Sequence, residues 1–379
     1  MTAENAHNAG MKARAWLACV LLPLTLHAQE CPAPGWLRLD GERPAAVASG
    51  ALIAEMASRD VVLLGEHHDE ADDHRWQLQT LAALHAQRPR MVLGFEAFPR
   101  RVQPVLDKWV AGKLTPAQFL AEVKWDEVWN MPAELYLPLF EFARLNRIPM
   151  VALNVERKLT ETVAAKGWDA VPESEREGLT RPAPAPKPYL DELARIHKEH
   201  KGEMPLANFV QAQQTWDRAM AQALAPHAAG ALAVGIIGSG HLRHGYGVPL
   251  QLRDLGVKRV GTLLPLDAQR CNEAVAGFAD AVFVLPERVA AMPPPPRLGV
   301  QLAQDAGGVR LAEVTPGGLA ERMGLRKGDM VAAAAGKPVK QVRELIAAVR
   351  AQPDGTWLPL QVRRAAEVHE LIVKFPPAQ

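Results

Sequence analysis

The sequence predicts an α/β protein built on a mostly parallel sheet flanked by helices, with a small β-rich α+β domain at its C-terminal end. Three observations carry this reading. Short, unbroken apolar runs alternate with amphipathic helical stretches, the pattern of strands buried on both faces. Residues 156 to 230 hold almost no strand pattern, which predicts a helical insertion beside the sheet. A proline run, Pro293–Pro296, then marks a change of rhythm, and such runs form semi-rigid spacers.

The apolar runs assign six strands, at Val61–Leu64, Met91–Phe95, Pro149–Leu153, Ala231–Ile237, Val260–Leu264 and Ala281–Leu285. Helical periodicity assigns helices over 73–87, 102–111, 116–123, 133–146, 189–200 and 206–224. Trp125 and Trp129, at helical spacing, read as core residues. The expected division is a leader over 1–28, an α/β domain over 29–292 and a second domain over 293–379.

Composition narrows the function. Hydrophobic residues at 48% against 22% charged exclude a disordered chain. A formal charge of +1 offers nucleic acid no basic surface. Near the start, Met11-Lys12-Ala13-Arg14 is basic, Ala15 to Leu26 is apolar and too short to span a bilayer, and Leu26-His27-Ala28 fits a cleavage site. Export to a periplasm or cell envelope is therefore expected. Trp16-Leu17-Ala18-Cys19 departs from a lipoprotein motif, so lipidation at Cys19 is the lesser expectation. Cys31 and Cys271 either pair in that oxidising setting or stand as separate thiols; both readings stay open.

The chemistry gathers where the apolar runs end. Leu64 is followed by Gly65-Glu66-His67-His68-Asp69, Phe95 by Glu96, and Leu153 by Asn154 with Arg157 further on. Ile237 is followed by Gly238-Ser239-Gly240-His241, with His244 and Tyr246 nearby. Ligands of open α/β sheets bind at the carboxyl ends of the strands, so these distant clusters are expected to converge. Two chemistries are open. Glu66, His68, Glu96 and His241 suit a divalent metal such as manganese, zinc or cobalt. A hydrolase would then use Glu66, Glu96, Asn154 and Arg157, with a glutamate as base and Arg157 for an oxyanion or carboxylate. Alternatively, His67, His68, His74, His244 and Tyr246 are candidate haem-binding residues.

These residues resemble the ChaN-like haem-binding uptake proteins of the Tiki/TraB superfamily, over about residues 55–265. The resemblance rests on Leu63-Leu64-Gly65-Glu66-His67-His68-Asp69, His74, Gly94-Phe95-Glu96-Ala97-Phe98, Asn154 and Gly238-Ser239-Gly240-His241, with Gly-x-x-His occurring twice. It implies a haem or iron-complex ligand, iron uptake and a haem held by tyrosine at a homodimer interface. The chain departs from that pattern, since its three tyrosines are Tyr136, Tyr189 and Tyr246 and none precedes Gly65. Related branches imply the alternative, a metal-dependent peptidase or esterase.

The C-terminal segment resembles a PDZ domain. Val314-Thr315-Pro316-Gly317-Gly318-Leu319-Ala320 and Gly324-Leu325-Arg326-Lys327-Gly328-Asp329 carry the likeness. It implies that Leu298, Gly299 and Val300 form a peptide-binding loop for the C-terminus of a protein partner, flanked by a helix over 342–349.

Overall fold

The computed structural model describes residues 31, 33–199, 204–286 and 296–377. The expected leader, Cys19 and most of the proline run lie outside the described residues. The chain divides into two compact units, Met1–Val289 and Ala290–Gln379.

The larger unit opens with two short strands, β1 (Gly35–Arg38) and β2 (Ala45–Val47), and helix α1 (Ser49–Ala57). Next come β3 (Val61–Glu66), α2 (Ala71–Gln87), β4 (Met91–Pro99) and α3 (Gln103–Val110). They are followed by α4 (Pro116–Val123), the one-turn α5 (Trp125–Val128), α6 (Ala133–Leu145) and β5 (Met150–Asn154). α4 starts where the sequence supplies a capping box, Thr115 with Gln118. Three helices follow, α7 (Arg157–Lys166), α8 (Lys187–Glu199) and α9 (Leu206–Leu224). The unit closes with β6 (Leu232–Gly238), α10 (Val248–Asp254), β7 (Val260–Asp267) and β8 (Ala281–Leu285).

The eight strands form one sheet in the order β2-β1-β8-β7-β3-β6-β4-β5. β3 to β8 run parallel, and β1 and β2 add an antiparallel edge. Both faces are covered, as the unbroken apolar runs require. Val62 and Leu64 face a core shared with α1, α2, α3, α4 and α6. Val61 and Leu63 face a second core built from α9 and α10. The predicted helical insertion is real, but it is not set apart: Met220, Ala221 and Leu224 of α9 pack on the sheet itself. Cys31 and Cys271 are joined by a disulfide, which resolves the open alternatives in favour of pairing.

The smaller unit comprises β9 (Val300–Asp305), β10 (Gly308–Val314), α11 (Leu319–Arg322), β11 (Met330–Ala334) and β12 (Lys337–Pro338). It ends with α12 (Val342–Arg350), β13 (Trp357–Arg364) and β14 (Glu367–Lys374). Its antiparallel sheet runs β14-β13-β11-β10-β9, with β12 paired to β11. Its own core includes Leu298, Val309, Leu345 and Val349. No helix among the described residues is long and apolar enough to cross a membrane.

Candidate functional site

The strand order brings the chemistry together. β6 lies between β3 and β4, with Glu66 opposite Gly238 and Phe95 opposite Ile236. The carboxyl ends of these strands therefore present Glu66, Glu96 and the turn carrying His241 at one edge. Strand alternation sorts them further. Glu66 continues the face of Val62 and Leu64, towards α2 and α6.

Glu66 is buried, and both of its oxygens are engaged. Tyr136 Oη donates to Oε1 at 2.6 Å, and His68 Nδ1 lies 2.7 Å from the same oxygen. Gln77 Nε2 donates to Oε2 at 3.1 Å, where His74 Nδ1 stands 3.4 Å away. Burial works against the charge on Glu66. The bond to His68, the charges of His74 and His68 and the Tyr136 hydroxyl outweigh it, holding the carboxyl below the usual range. Burial also pushes the Tyr136 phenol up, as does the neighbouring carboxylate. For His68, burial is again the largest effect and opposes charge, yet the bond to Glu66 and the Glu96 carboxylate raise it overall. The Glu66 bond fixes the Nδ1 proton of His68 and leaves Nε2 as the nitrogen free for a ligand.

A second carboxylate–imidazole pair faces the first. Asp217 Oδ1 lies 2.7 Å from His241 Nδ1, and Tyr189 Oη donates to Asp217 Oδ2 at 3.0 Å. Burial would lower His241, but Asp217's bond and charge and the charge of Glu96 push it up to about 9. Glu96 sits between the pairs. Its Oε2 accepts the Gly238 N–H at 2.6 Å, while Oε1 is buried without a hydrogen bond among the described residues, 3.7 Å from His241 Nε2. A Cβ at Gly238 would come within 2.8 Å of His68 Cε1, so any larger residue here would displace the imidazole. Asn154 does not cap the next helix. It donates to the Glu96 carbonyl at 3.1 Å and accepts the Val155 N–H, holding the irregular end of β4.

His68 opens onto a cavity of about 380 Å³ lined by Val128, Trp129, Met131, Trp216, Arg101 and Arg157, among others. The edge of Trp129 meets His68 at 4.7 Å between ring centres, so Trp129, half-buried against the core, also forms cavity wall, whereas Trp125 is fully buried. Trp216 packs on His241 and leaves its buried indole N–H unpartnered.

Several candidates do other work. Glu66 is no open metal ligand, because its oxygens already hold His68, Tyr136 and Gln77. His74 is buried with both nitrogens against acceptors, the His68 carbonyl and Gln77 Oε1, so it cannot reach a haem. His67 turns away from His68. Asp73 Oδ2 accepts both its backbone N–H and its Nδ1, at 2.7 and 2.8 Å. His244 and Tyr246 stack on one another beside Phe278 and Tyr189, and neither lines the His68 cavity. Among the described residues, no three His, Cys, Asp or Glu side chains stand close enough to share a metal ion.

Sequence reading missed Tyr136, Gln77, Asp217 and Tyr189, because each reaches the site from a helix. Asp217 did carry a signal. It lies seven residues after Val210 and four before Ala221, an acid on the apolar stripe of α9.

In the smaller unit, Leu298 is buried, Gly299 takes φ +76° and Val300 opens β9. The Leu298 and Gly299 carbonyls accept from Ala320 and Thr315, while among the described residues the N–H groups of Leu298 and Gly299 have no acceptor.

Fold and site together define a doubly covered α/β domain with paired histidine–carboxylate groups at the carboxyl edge of its sheet, accompanied by a PDZ domain. Residues 52–252 match the family described as haem-binding uptake, Tiki superfamily, ChaN, and residues 296–375 match the PDZ domain. The chain belongs to that haem-binding uptake family. Its fold resembles ChaN of Campylobacter jejuni, solved for cofacial haem binding, at 20% identity, 66% of this chain, 96% of that chain and a TM-score of 0.50. The PDZ domain of HtrA3, bound to a phage-derived ligand, is 21% identical and covers 21% of this chain and 83% of that one, with a TM-score of 0.19. A curated protein of Ralstonia nicotianae, named for zinc metalloprotease activity, is 41% identical over 71 residues. That match spans 16% of this chain and 15% of the relative's length.

Proposed function

We propose that the larger domain binds haem in the cavity beside His68 and that the chain serves haem or iron uptake on the envelope side of an exporting cell. The observation that carries this is His68 itself, an imidazole whose Nδ1 is held by a buried carboxylate and whose Nε2, among the described residues, makes no hydrogen bond at the wall of a cavity. A carboxylate behind a ligating imidazole fixes its orientation and raises its basicity. The rest of the wall suits a haem. Trp129, Trp216, Val128 and Met131 offer apolar surface, and Arg157 is an exposed guanidinium for a propionate. The tyrosine that the family resemblance implied is missing before Gly65, and Tyr246 lies outside the His68 cavity, so His68 would be the residue that holds the haem iron.

The test is a haemin titration of the full chain recorded in the Soret region. Wild type should give a saturable, shifted band, and His68→Ala should lose it with its circular dichroism unchanged. A non-saturating response, or saturation retained in His68→Ala, would refute the assignment.

A second reading has one observation in its favour, the unpartnered Oε1 of buried Glu96 facing His241 Nε2. An acid and a base so placed suit hydrolysis by proton transfer between these two side chains. Ester or peptide cleavage lost in Glu96→Gln would establish it.

A further inference from the structure

The histidine that the His68 cavity leaves over has a setting of its own. Asp73, itself buried, accepts through Oδ2 both the backbone N–H of His67, at 2.7 Å, and its Nδ1, at 2.8 Å. The Nδ1 proton is thereby committed, so Nε2 presents a lone pair. That nitrogen is buried and, among the described residues, has no hydrogen-bond partner. The same holds for Ser239 Oγ and for Arg243 Nε. All three residues line one small cavity, walled by Leu264, Leu266 and Phe278, and none of them lines the His68 cavity. Its volume is about 10 Å³, the room of about one water molecule. The side chains of His67 and Arg270 are partly exposed, so the cavity lies just beneath the surface.

Unpaired polar atoms buried around a hole are costly, and these three are complementary. Ser239 has a proton to give, His67 Nε2 has a lone pair to take it, and Arg243, a donor only, answers to negative charge. Of the two carboxylates in the wall, Glu273 is held through both oxygens by Arg270, at 2.7 and 2.8 Å, and Asp267 accepts the Gln269 N–H. Burial, then the charge of Arg270, pull Arg243 below the ordinary arginine range, which an oxyanion beside it would relieve. Room for the serine hydroxyl comes from Gly65, where a Cβ would stand 2.6 Å from Oγ.

We propose that Asp73, His67 and Ser239 form a second reactive centre, which hydrolyses esters of the shortest carboxylic acids through an acyl-serine. Ser239 Oγ bonds to the ester carbonyl carbon as its proton passes to His67 Nε2, directly or across the one water the cavity admits. The carbonyl electron pair moves onto oxygen beside Arg243. It returns as the bond to the alcohol oxygen breaks, and that oxygen takes the proton from His67. A water then attacks the acyl carbon, giving its proton to His67; the carboxylic acid leaves as Ser239 recovers a proton. Asp73 is a positioning residue that keeps Nδ1 protonated and the ring in place. The size of the cavity sets the substrate class, since a formyl or acetyl carbonyl enters while the alcohol stays outside.

The experiment exposes the full chain to p-nitrophenyl acetate, quenches in acid and locates acetyl groups by peptide mass spectrometry. Ser239 should carry one acetyl group, formed with a burst of nitrophenolate, and Ser239→Ala should lose both. His67→Gln and Arg243→Met should each slow acetylation about a hundredfold or more, with circular dichroism unchanged. Asp73→Asn should lower the limiting rate and leave the half-saturating ester concentration unchanged. p-Nitrophenyl butyrate should acylate Ser239 about tenfold more slowly or worse. No acetyl group on Ser239, or equal rates in wild type and His67→Gln, would overturn the proposal. Equal rates with the butyrate would overturn the substrate class.

Discussion

Replacing Gly238 with alanine puts a methyl carbon 2.8 Å from Cε1 and 3.1 Å from Nε2 of His68, and 3.4 Å from Oε2 of Glu96. Carbon atoms rest about 3.5–4.0 Å apart, so the imidazole has to move. Overfilling a packed site costs about 1–3 kcal/mol. Turning His68 also removes a bond from the buried Glu66 carboxylate, worth about 1–3 kcal/mol more. The His68 side chain is 32% exposed and can swing into the cavity, which favours the lower half of the summed range. The prediction is a loss of about 2–4 kcal/mol in urea unfolding, together with loss of the haemin band. Gly240→Ala is the control, since a Cβ there meets nothing within 4 Å. It should change stability by no more than about 0.5 kcal/mol. If Gly238→Ala matches wild type in both assays, the placement of His68 against Gly238 is wrong.

Two further outcomes follow from the same geometry. Burial opposes the charge of His241, but Asp217 and Glu96 hold it up to about 9 from its usual 6.5. A raised value in the folded state stabilises most below about pH 6.5 and loses its contribution as pH rises through 9. Melting temperature should fall across that window in wild type and hardly at all beyond the background in His241→Gln; parallel curves would contradict it. The Cys31–Cys271 disulfide closes a loop of 240 residues, so its reduction should lower stability by about 2–5 kcal/mol. An unchanged melting curve with both thiols shown free would count against that role.

The parallel strands were legible because burial on both faces demands unbroken apolar runs, and all six recur within a few residues of their expected places. The antiparallel edge was not legible. β1 and β2 are three or four residues long, and Ala45-Ala46-Val47 carries no periodicity. Glu66, Glu96, His68 and His241 stood out because each follows the end of an apolar run. Their partners did not, since the face from which a helix addresses the sheet is fixed by packing and not by its own period. The two adjacent histidines show a further limit. Both lie past the end of β3, and their hydrogen-bond partners separate them: His67 is held by Asp73 of α2 and His68 by Glu66.

The two Gly-x-x-His segments solve one problem in two ways. Each has a glycine at or one residue before the end of a strand and a histidine three residues later, with a carboxylate on Nδ1. After Gly65 the acid is the next residue, Glu66, so strand and ligand holder are continuous. After Gly238 that position is Ser239, and the serine is buried near Gly65, where a Cβ would touch its Oγ at 2.6 Å. The second pair must therefore import its acid, and α9 delivers Asp217 from 24 residues earlier in the chain. This gives the strandless stretch before β6 a role beyond covering the sheet. Its last helix carries the group that orients His241 and, through Trp216, a wall of the cavity. Glu96 then lies between two imidazoles whose orientations are set independently.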